Sequence, residues 1–275
     1  MRTERISKWA IAVPMALLAI ATIYPMLYSL NIALKSRREY VLDRMGLTQS
    51  FQVQNFIDAW TQANMGRYFL NSALVTAVSV VLILVLASMA GYALSHLTFR
   101  GSKATFLIIL AAMMIPFQVI MVPFVKTLND LGMLNTYQGL IVAYVSQFLP
   151  FTVYFMTSYF ARIPKEITEA ARVDGNNIWG VFGRIMLPLG RPALLSMGIL
   201  NALFCWNDIL IALLVMQSPS QRTVMVGVSA LRGQYPDNVP VYLAGVLLVV
   251  IPLVIVYLIF QRQITAGVTA GATKG

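Results

Sequence analysis

Asp208 is the residue with the most chemistry open to it. It stands in the apolar stretch 193–216, and a charge at a bilayer centre costs ~2.5–3.5 kcal/mol on insertion scales. A carboxylate kept there must face protein or water. It can line a path for a polar solute, carry a coupling proton, or clamp helices together with its neighbour Asn207. Gln118 and Gln147, in two other apolar stretches, divide in the same way between lining a path and bonding helices. The usual catalytic sets do not form. His96 is the single histidine and Cys205 the single cysteine, so by themselves they build neither a metal site nor a disulfide framework. No Walker A sequence, Gly-rich phosphate loop or Ser/His/Asp set is present, so the chain has no visible means of hydrolysing ATP. Cys205 reads as a small apolar packer, and His96, at a helix end beside a basic loop, as an interface residue.

A second group of residues is mechanical in character. Between two membrane-length stretches lies the polar segment EITEAARVDGNNIWGVFGRIMLPLGRPAL, 166–194. Pro164 suits a first helical position, where its missing N–H costs nothing, and Glu166 complements the helix dipole. Ile167, Ala170, Ala171 and Asp174 follow i, i+3, i+4, i+7 and share one mostly small face, suited to a groove on another protein. Asp174-Gly175 stops the helix, with Gly free to take positive φ. Asn176 or Asn177 can cap a second short helix from about Ile178 to Met186. Pro188 ends it, and Pro192 restarts a helix that enters the membrane. The expectation is a helix-turn-helix lying on the membrane surface.

These residues need a membrane scaffold. Apolar residues make up 59% of the chain and charged ones 11%, which places it among integral membrane proteins. Six stretches reach the ~20 apolar residues that a spanning helix needs. They are 9–34, 69–95, 104–125, 137–159, 193–216 and 239–260. The first follows Arg2, Arg5 and Lys8 but is too long for a signal-peptide core, so it is an uncleaved span. The predicted class is an all-α integral membrane protein, a single transmembrane domain over 1–275. It has a cytoplasmic loop at about 161–190 and a cytoplasmic tail at 261–275. With the N-terminus inside, twelve Lys and Arg face the cytoplasm and eight face outside, a modest positive-inside bias. The first outer loop holds five of those eight, and the polar segment breaks the near-tie. The formal charge of +10 thus reflects topology. No basic patch interleaved with aromatics supports nucleic-acid binding.

The segment Glu169-Ala170-Ala171, Asp174-Gly175, Ile185-Met186-Leu187-Pro188 resembles the EAA signature of ABC-importer permeases. FCWNDILIALLVM, 204–216, resembles the W-N-D/E stretch of the fifth span in the maltose-type carbohydrate family. The ending QRQITAGVTAGATKG resembles that family's tail, and Asn55 stands where the family leads into a short helix before span two. The likeness is to the smaller permease subunit and covers nearly the whole chain. It implies import of a sugar or oligosaccharide across the bacterial cytoplasmic membrane, with both termini cytoplasmic. It implies a second permease subunit, a homodimer of ABC ATPase subunits holding ATP and Mg, an extracytoplasmic solute-binding protein and no cofactor on this chain. It assigns ATPase coupling to Glu169, Ala170, Ala171, Arg172, Asp174, Gly175, Ile185, Leu187 and Pro188. On this assignment Glu169 pairs with a basic residue, Ala170 and Ala171 sit in the ATPase cleft, and residues 267–275 reach between the ATPases. The alternative is an ion-coupled secondary transporter using Asp208, which leaves the EAA segment unexplained.

Overall fold

The computed structural model describes the backbone of residues 2–62, 64–234 and 238–272. Within these it describes the side chains of 12–62, 64–233 and 238–261. Among the described residues every regular element is helical. The chain runs through α1 (Arg2–Ala33), α2 (Arg37–Leu42), α3 (Gln54–Gln62), α4 (Met65–His96), α5 (Ser102–Met113), α6 (Phe117–Asp130) and α7 (Tyr137–Phe160). It continues through α8 (Lys165–Val173), α9 (Ile178–Val181), a π-helical turn (Phe182–Met186), α10 (Leu187–Leu189), α11 (Arg191–Asn207), α12 (Leu210–Val215), α13 (Val224–Gln234) and α14 (Val239–Ala272). Four helices, α1, α4, α7 and α14, are long and apolar enough to cross a bilayer. These correspond to expected spans one, two, four and six.

Spans three and five differ from expectation, and each departure has a local cause. The stretch 104–125 is two helices, α5 and α6, bent by 99°. Pro116 sits at the break in an extended conformation. Proline disfavours helix at the residue before it and removes a backbone donor, so the helix ends ahead of it. The stretch 193–216 is also interrupted, because Asp208 leaves the helical region (φ −69, ψ 132) between α11 and α12. Further on, the expected outer loop 217–238 contains a 3₁₀ turn at Pro219–Gln221 and the whole of α13. The expected tail is not set apart by a break, since α14 keeps its helical backbone to Ala272. The side chains of 267–275, expected to reach between ATPases, lie outside the described residues.

Residues 1–66 with 227–252 form one compact unit, and 67–226 with 253–275 form another. In the first, a polar cap closes the end of α1. Asn55 is buried and donates to the carbonyls of Ala33 and Lys35, each at 2.8 Å. It thereby satisfies acceptors that a helix end leaves without partners. The Lys35 ammonium is fully buried and donates to the Asp43 carbonyl at 2.5 Å. Asn31 reaches back to Gly46 and Thr48. The Ser50 hydroxyl and the Gln49 amide hold the Glu39 carboxyl below its usual range, so this cap is assembled with Glu39 ionised at neutral pH.

The second unit carries the residues singled out by sequence. Gly91 lets α4 and α7 cross closely, since a β-carbon there would stand 2.8 Å from Met156 Cβ and 3.0 Å from Thr157 N. Close backbone approach of this kind is what small residues permit in membrane helix pairs. Asn71 and Ser72, expected to open span two, lie in the second turn of α4, which starts at Met65. Asn71 donates to the carbonyls of Ser220 and Arg222 and accepts from the Tyr137 hydroxyl at 2.8 Å. Ser72 accepts from the Val224 amide at 2.8 Å. Two polar side chains of one helix thus hold the loop that follows α12 and the start of α7.

Candidate coupling segment and membrane acid

The motif segment folds from the residues that define it. Pro164 takes the position just outside α8 rather than the first helical one. Glu166 lies in the first turn and Arg172 in the last, the signs that complement the helix dipole at each end. Gly175 has φ +85. The Gly175 amide donates to the Arg172 carbonyl and the Asn176 amide to the Ala171 carbonyl, both at 3.0 Å. This is a Schellman motif, which needs a left-handed residue at that position. Both asparagines then act. Asn176 adds a side-chain donation to the Ala171 carbonyl at 3.1 Å, and Asn177 caps α9 by accepting from the Gly180 amide at 2.8 Å.

The second short helix departs from expectation. It is α-helical only over Ile178–Val181 and then widens into a π turn from Phe182 to Met186. Such turns interrupt the regular ladder and frequently occur at functional positions. Pro188 does not end the helix; it lies inside α10 in the first turn, where proline is tolerated. The break comes at Gly190, and the direction changes there by 74° between 178–189 and α11. A β-carbon on Gly190 would stand 2.7 Å from the Phe160 ring and 3.0 Å from the Met186 carbonyl, so the corner is packed without room for one.

α8 has two faces, and they are not those expected. Thr168 and Ala171 are buried, at 5% and 6% exposure. Ala171 belongs to a core with Phe160, Val181, Met186 and Ala193. It therefore packs inside this chain, which corrects its placement beside Ala170 in an external cleft. Ala170, Glu169, Arg172, Asp174 and Gly175 are exposed. Ile185 and Leu187 are half-buried and Pro188 is exposed. The outward face also presents Val173 (88% exposed), Trp179 (65%) and Ile178 (47%). Sequence reasoning missed these three, although an apolar residue within a mixed-charge surface helix was a usable signal. His96 is buried at the end of α4, and its Nε2 donates to the Ile163 carbonyl at 3.2 Å, holding the turn that leads into α8.

Asp208 sits at the break between α11 and α12. Its carboxylate accepts from the amides of Ala212 at 2.9 Å and Ile211 at 3.3 Å, and from the Tyr144 hydroxyl at 3.1 Å. It caps the restarted helix and ties it to α7. The helix-to-helix bond is made with Tyr144, whereas Asn207 is exposed and donates back to the Leu203 carbonyl at 2.9 Å. The expected Asp208–Asn207 clamp is corrected accordingly: Asn207 still has a helical neighbour to bond within α11, while Asp208 has already left the helix. Gln147 is half-buried, one turn from Tyr144 on α7, and Gln118 is exposed at the start of α6. Cys205 is a buried free thiol in the core that includes Tyr144 and Ile211, as expected of an apolar packer.

Residues 83–269 match the family described as the binding-protein-dependent transport system inner membrane component. The chain belongs to that family. It is 36% identical to the arabinooligosaccharides transport system permease protein AraQ of Halalkalibacterium halodurans, covering 100% of this chain and 99% of that one. It is 33% identical to the diacetylchitobiose uptake system permease protein NgcG of Streptomyces coelicolor, over 93% of this chain and 85% of the relative. The fold matches a chain in the crystal structure of a bacterial alginate ABC transporter in complex with alginate pentasaccharide-bound periplasmic protein. The TM-score is 0.65 at 18% identity, covering 95% of this chain and 97% of that one. The protein is thus a multi-pass inner-membrane permease subunit of a binding-protein-dependent ABC importer. It is the non-catalytic component, and the secondary-transporter alternative is not favoured.

The two glycines of this permease respond differently to substitution. A β-carbon on Gly175 meets nothing within 4 Å, so Gly175→Ala carries only left-handed backbone strain of roughly 1–2 kcal/mol. Gly175→Asn tolerates that conformation and restores most of the loss. Gly190→Val collides with Phe160 and costs roughly 1–3 kcal/mol, and Gly190→Asn restores nothing. Thermal unfolding midpoints of the purified variants separate the two patterns. Equal rescue by Asn at both positions would refute the distinction.

Proposed function

We propose that this permease imports a sugar or oligosaccharide by alternating access, using α8 to α10 as its cytoplasmic coupling element. The observation that carries the proposal is the double face of α8. Glu169, Ala170 and Val173 point outward with Ile178 and Trp179, and Ala171 is sunk among residues of α7, α9 and α11. A partner gripping the outer face would move the inner face with it, and close-packed interiors transmit such displacements with little loss. The partner is a homodimer of ABC ATPase subunits, which binds the ATP and Mg. Glu169 pairs with a basic residue there, and the exposed apolar residues fill the socket. Arg172, Asp174, Gly175, Ile185, Leu187 and Pro188 keep the segment in shape.

On this reading the bent pair α5–α6 and the interrupted α11–α12 complete a six-span domain. The N- and C-termini face the cytoplasm, and a second permease subunit supplies the other half of the path. The solute-binding protein docks from outside. The relatives that act on arabinooligosaccharides and diacetylchitobiose support a carbohydrate cargo. Asp208 serves as a structural acid: it satisfies a helix start inside the membrane, where backbone groups without partners cost several kcal/mol each. Gln118 and Asn207, which are exposed, and the half-buried Gln147 are the polar groups offered to a passing sugar.

Two experiments test this assignment. A charge-assisted bond at a partly buried interface contributes ~1.5–3 kcal/mol. Glu169→Lys is therefore expected to weaken ATPase association roughly tenfold to a hundredfold while membrane insertion stays normal. Wild-type association would remove Glu169 from the interface. In proteoliposomes, Asp208→Asn keeps an acceptor for the α12 amides and retains substantial uptake. Asp208→Leu loses the cap and is much weaker, a capping loss being about 0.5–2 kcal/mol. Uptake by the wild type requires ATP and ignores an ionophore. Uptake without ATP that collapses with ionophore and vanishes in Asp208→Asn would instead assign an ion-coupled carrier.

A further inference from the structure

The turn between α4 and α5 carries chemistry that the coupling mechanism does not use. A cavity of about 1190 Å³ opens there, lined by Arg100, Lys103 and Lys165 from three separate places in the fold. These are the turn itself, the first turn of α5 and the first residue of α8. Among the described residues no carboxylate lines the cavity. The backbone adds to this field. Gly101 precedes α5 with φ +90 and provides no side-chain cap. The positive end of this twelve-residue helix therefore faces the turn beside the Ser102 hydroxyl, with the Ser102 amide itself donating to the Phe99 carbonyl at 3.3 Å. Helix starts of this kind favour phosphate oxygens.

Part of the remaining lining is apolar. Leu94, Phe106 and Leu107 line the same cavity. Leu107 is 54% exposed, and Phe106 is held in place by stacking on Tyr154 at 6.2 Å. The cavity lies where α4, a spanning helix, ends and the next apolar helix begins. One end is therefore at headgroup depth and the other against acyl chains. Free phosphate would use the cations and the helix start but has no need of the apolar wall.

We propose that this cavity is a binding site for an anionic phospholipid. Its phosphodiester lies between Arg100, Lys103, Lys165 and the start of α5, and an acyl chain runs along Leu94, Phe106 and Leu107. Because Lys165 begins α8, a lipid bound here touches the coupling element at its root, and the lipid composition of the membrane bears on how firmly α8 is held.

The test uses the full chain purified in its importer complex and native mass spectrometry. The probes are phosphatidylglycerol, phosphatidylcholine and inorganic phosphate. Each basic residue near an anionic surface contributes roughly fivefold. Wild-type protein is expected to retain phosphatidylglycerol over phosphatidylcholine. The triple variant Arg100→Gln, Lys103→Gln, Lys165→Gln loses that preference by roughly a hundredfold. The charge-conserving variant Arg100→Lys, Lys103→Arg, Lys165→Arg keeps it, which controls for folding, and Arg44→Gln, at a residue that does not line the cavity, leaves it unchanged. Displacement of the lipid by millimolar inorganic phosphate would reassign the site to free phosphate. Equal retention of the two lipids, or an unchanged preference in the triple Gln variant, would overturn the proposal.

Discussion

On the proposed coupling role of α8, the mechanics of this permease depend on the burial of one small side chain, Ala171, in the core formed with Phe160, Val181, Met186 and Ala193. A surface helix of nine residues has little stability of its own, because nucleation is costly and isolated helices of that length are marginal. α8 is held by packing one narrow face inward, by the Schellman turn at Gly175 and by the His96 bond that fixes the approach through Ile163. Ala171 is small enough to bring the α8 backbone down onto its neighbours. A larger side chain would lift the helix off that core and leave the outer face with nothing to push against.

The helical interruptions follow the same economy. A bilayer offers backbone groups no water, so a broken helix must satisfy its own ends. Between α11 and α12 that role falls to Asp208, which accepts two amides and the Tyr144 hydroxyl. The energetic case for a carboxylate in a span is then structural: the acid costs desolvation and offsets it with three hydrogen bonds. The bend ahead of α6 uses the opposite device, a proline that has no donor to satisfy. The corner at Gly190 uses a third, the absence of a side chain where Phe160 and the Met186 carbonyl leave no space.

Much of this was legible in the sequence because membrane helices and their caps are written locally. Apolar length located α1, α4, α7 and α14, and the Asp174-Gly175-Asn176-Asn177 run encoded the Schellman turn and the following cap. The breaks in spans three and five were less legible. A hydropathy window cannot see that Pro116 or Asp208 ends a helix when apolar residues continue on both sides. The inward face of α8 was misread because Ala170 and Ala171 are chemically identical, and only the packing of Thr168 and Ala171 against the core decides which is buried. The π turn has no residue signature at all. The exposed Val173, Ile178 and Trp179 escaped notice because the segment was read for its small-residue face, Ile167, Ala170, Ala171 and Asp174, and not for apolar residues outside it.

The central claim, that α8 shows one face to a partner and the other to its own core, is tested most directly by thiol accessibility. In a Cys205→Ser background, Val173→Cys and Ala171→Cys are placed singly and challenged with a membrane-impermeant thiol reagent in inside-out vesicles, with and without the ATPase subunits. The account predicts that Cys at 173 reacts readily without the ATPase and is protected by it, while Cys at 171 is unreactive in both conditions. Reaction of Cys at 171 without the ATPase together with protection when it binds, or no protection at 173, would contradict the account.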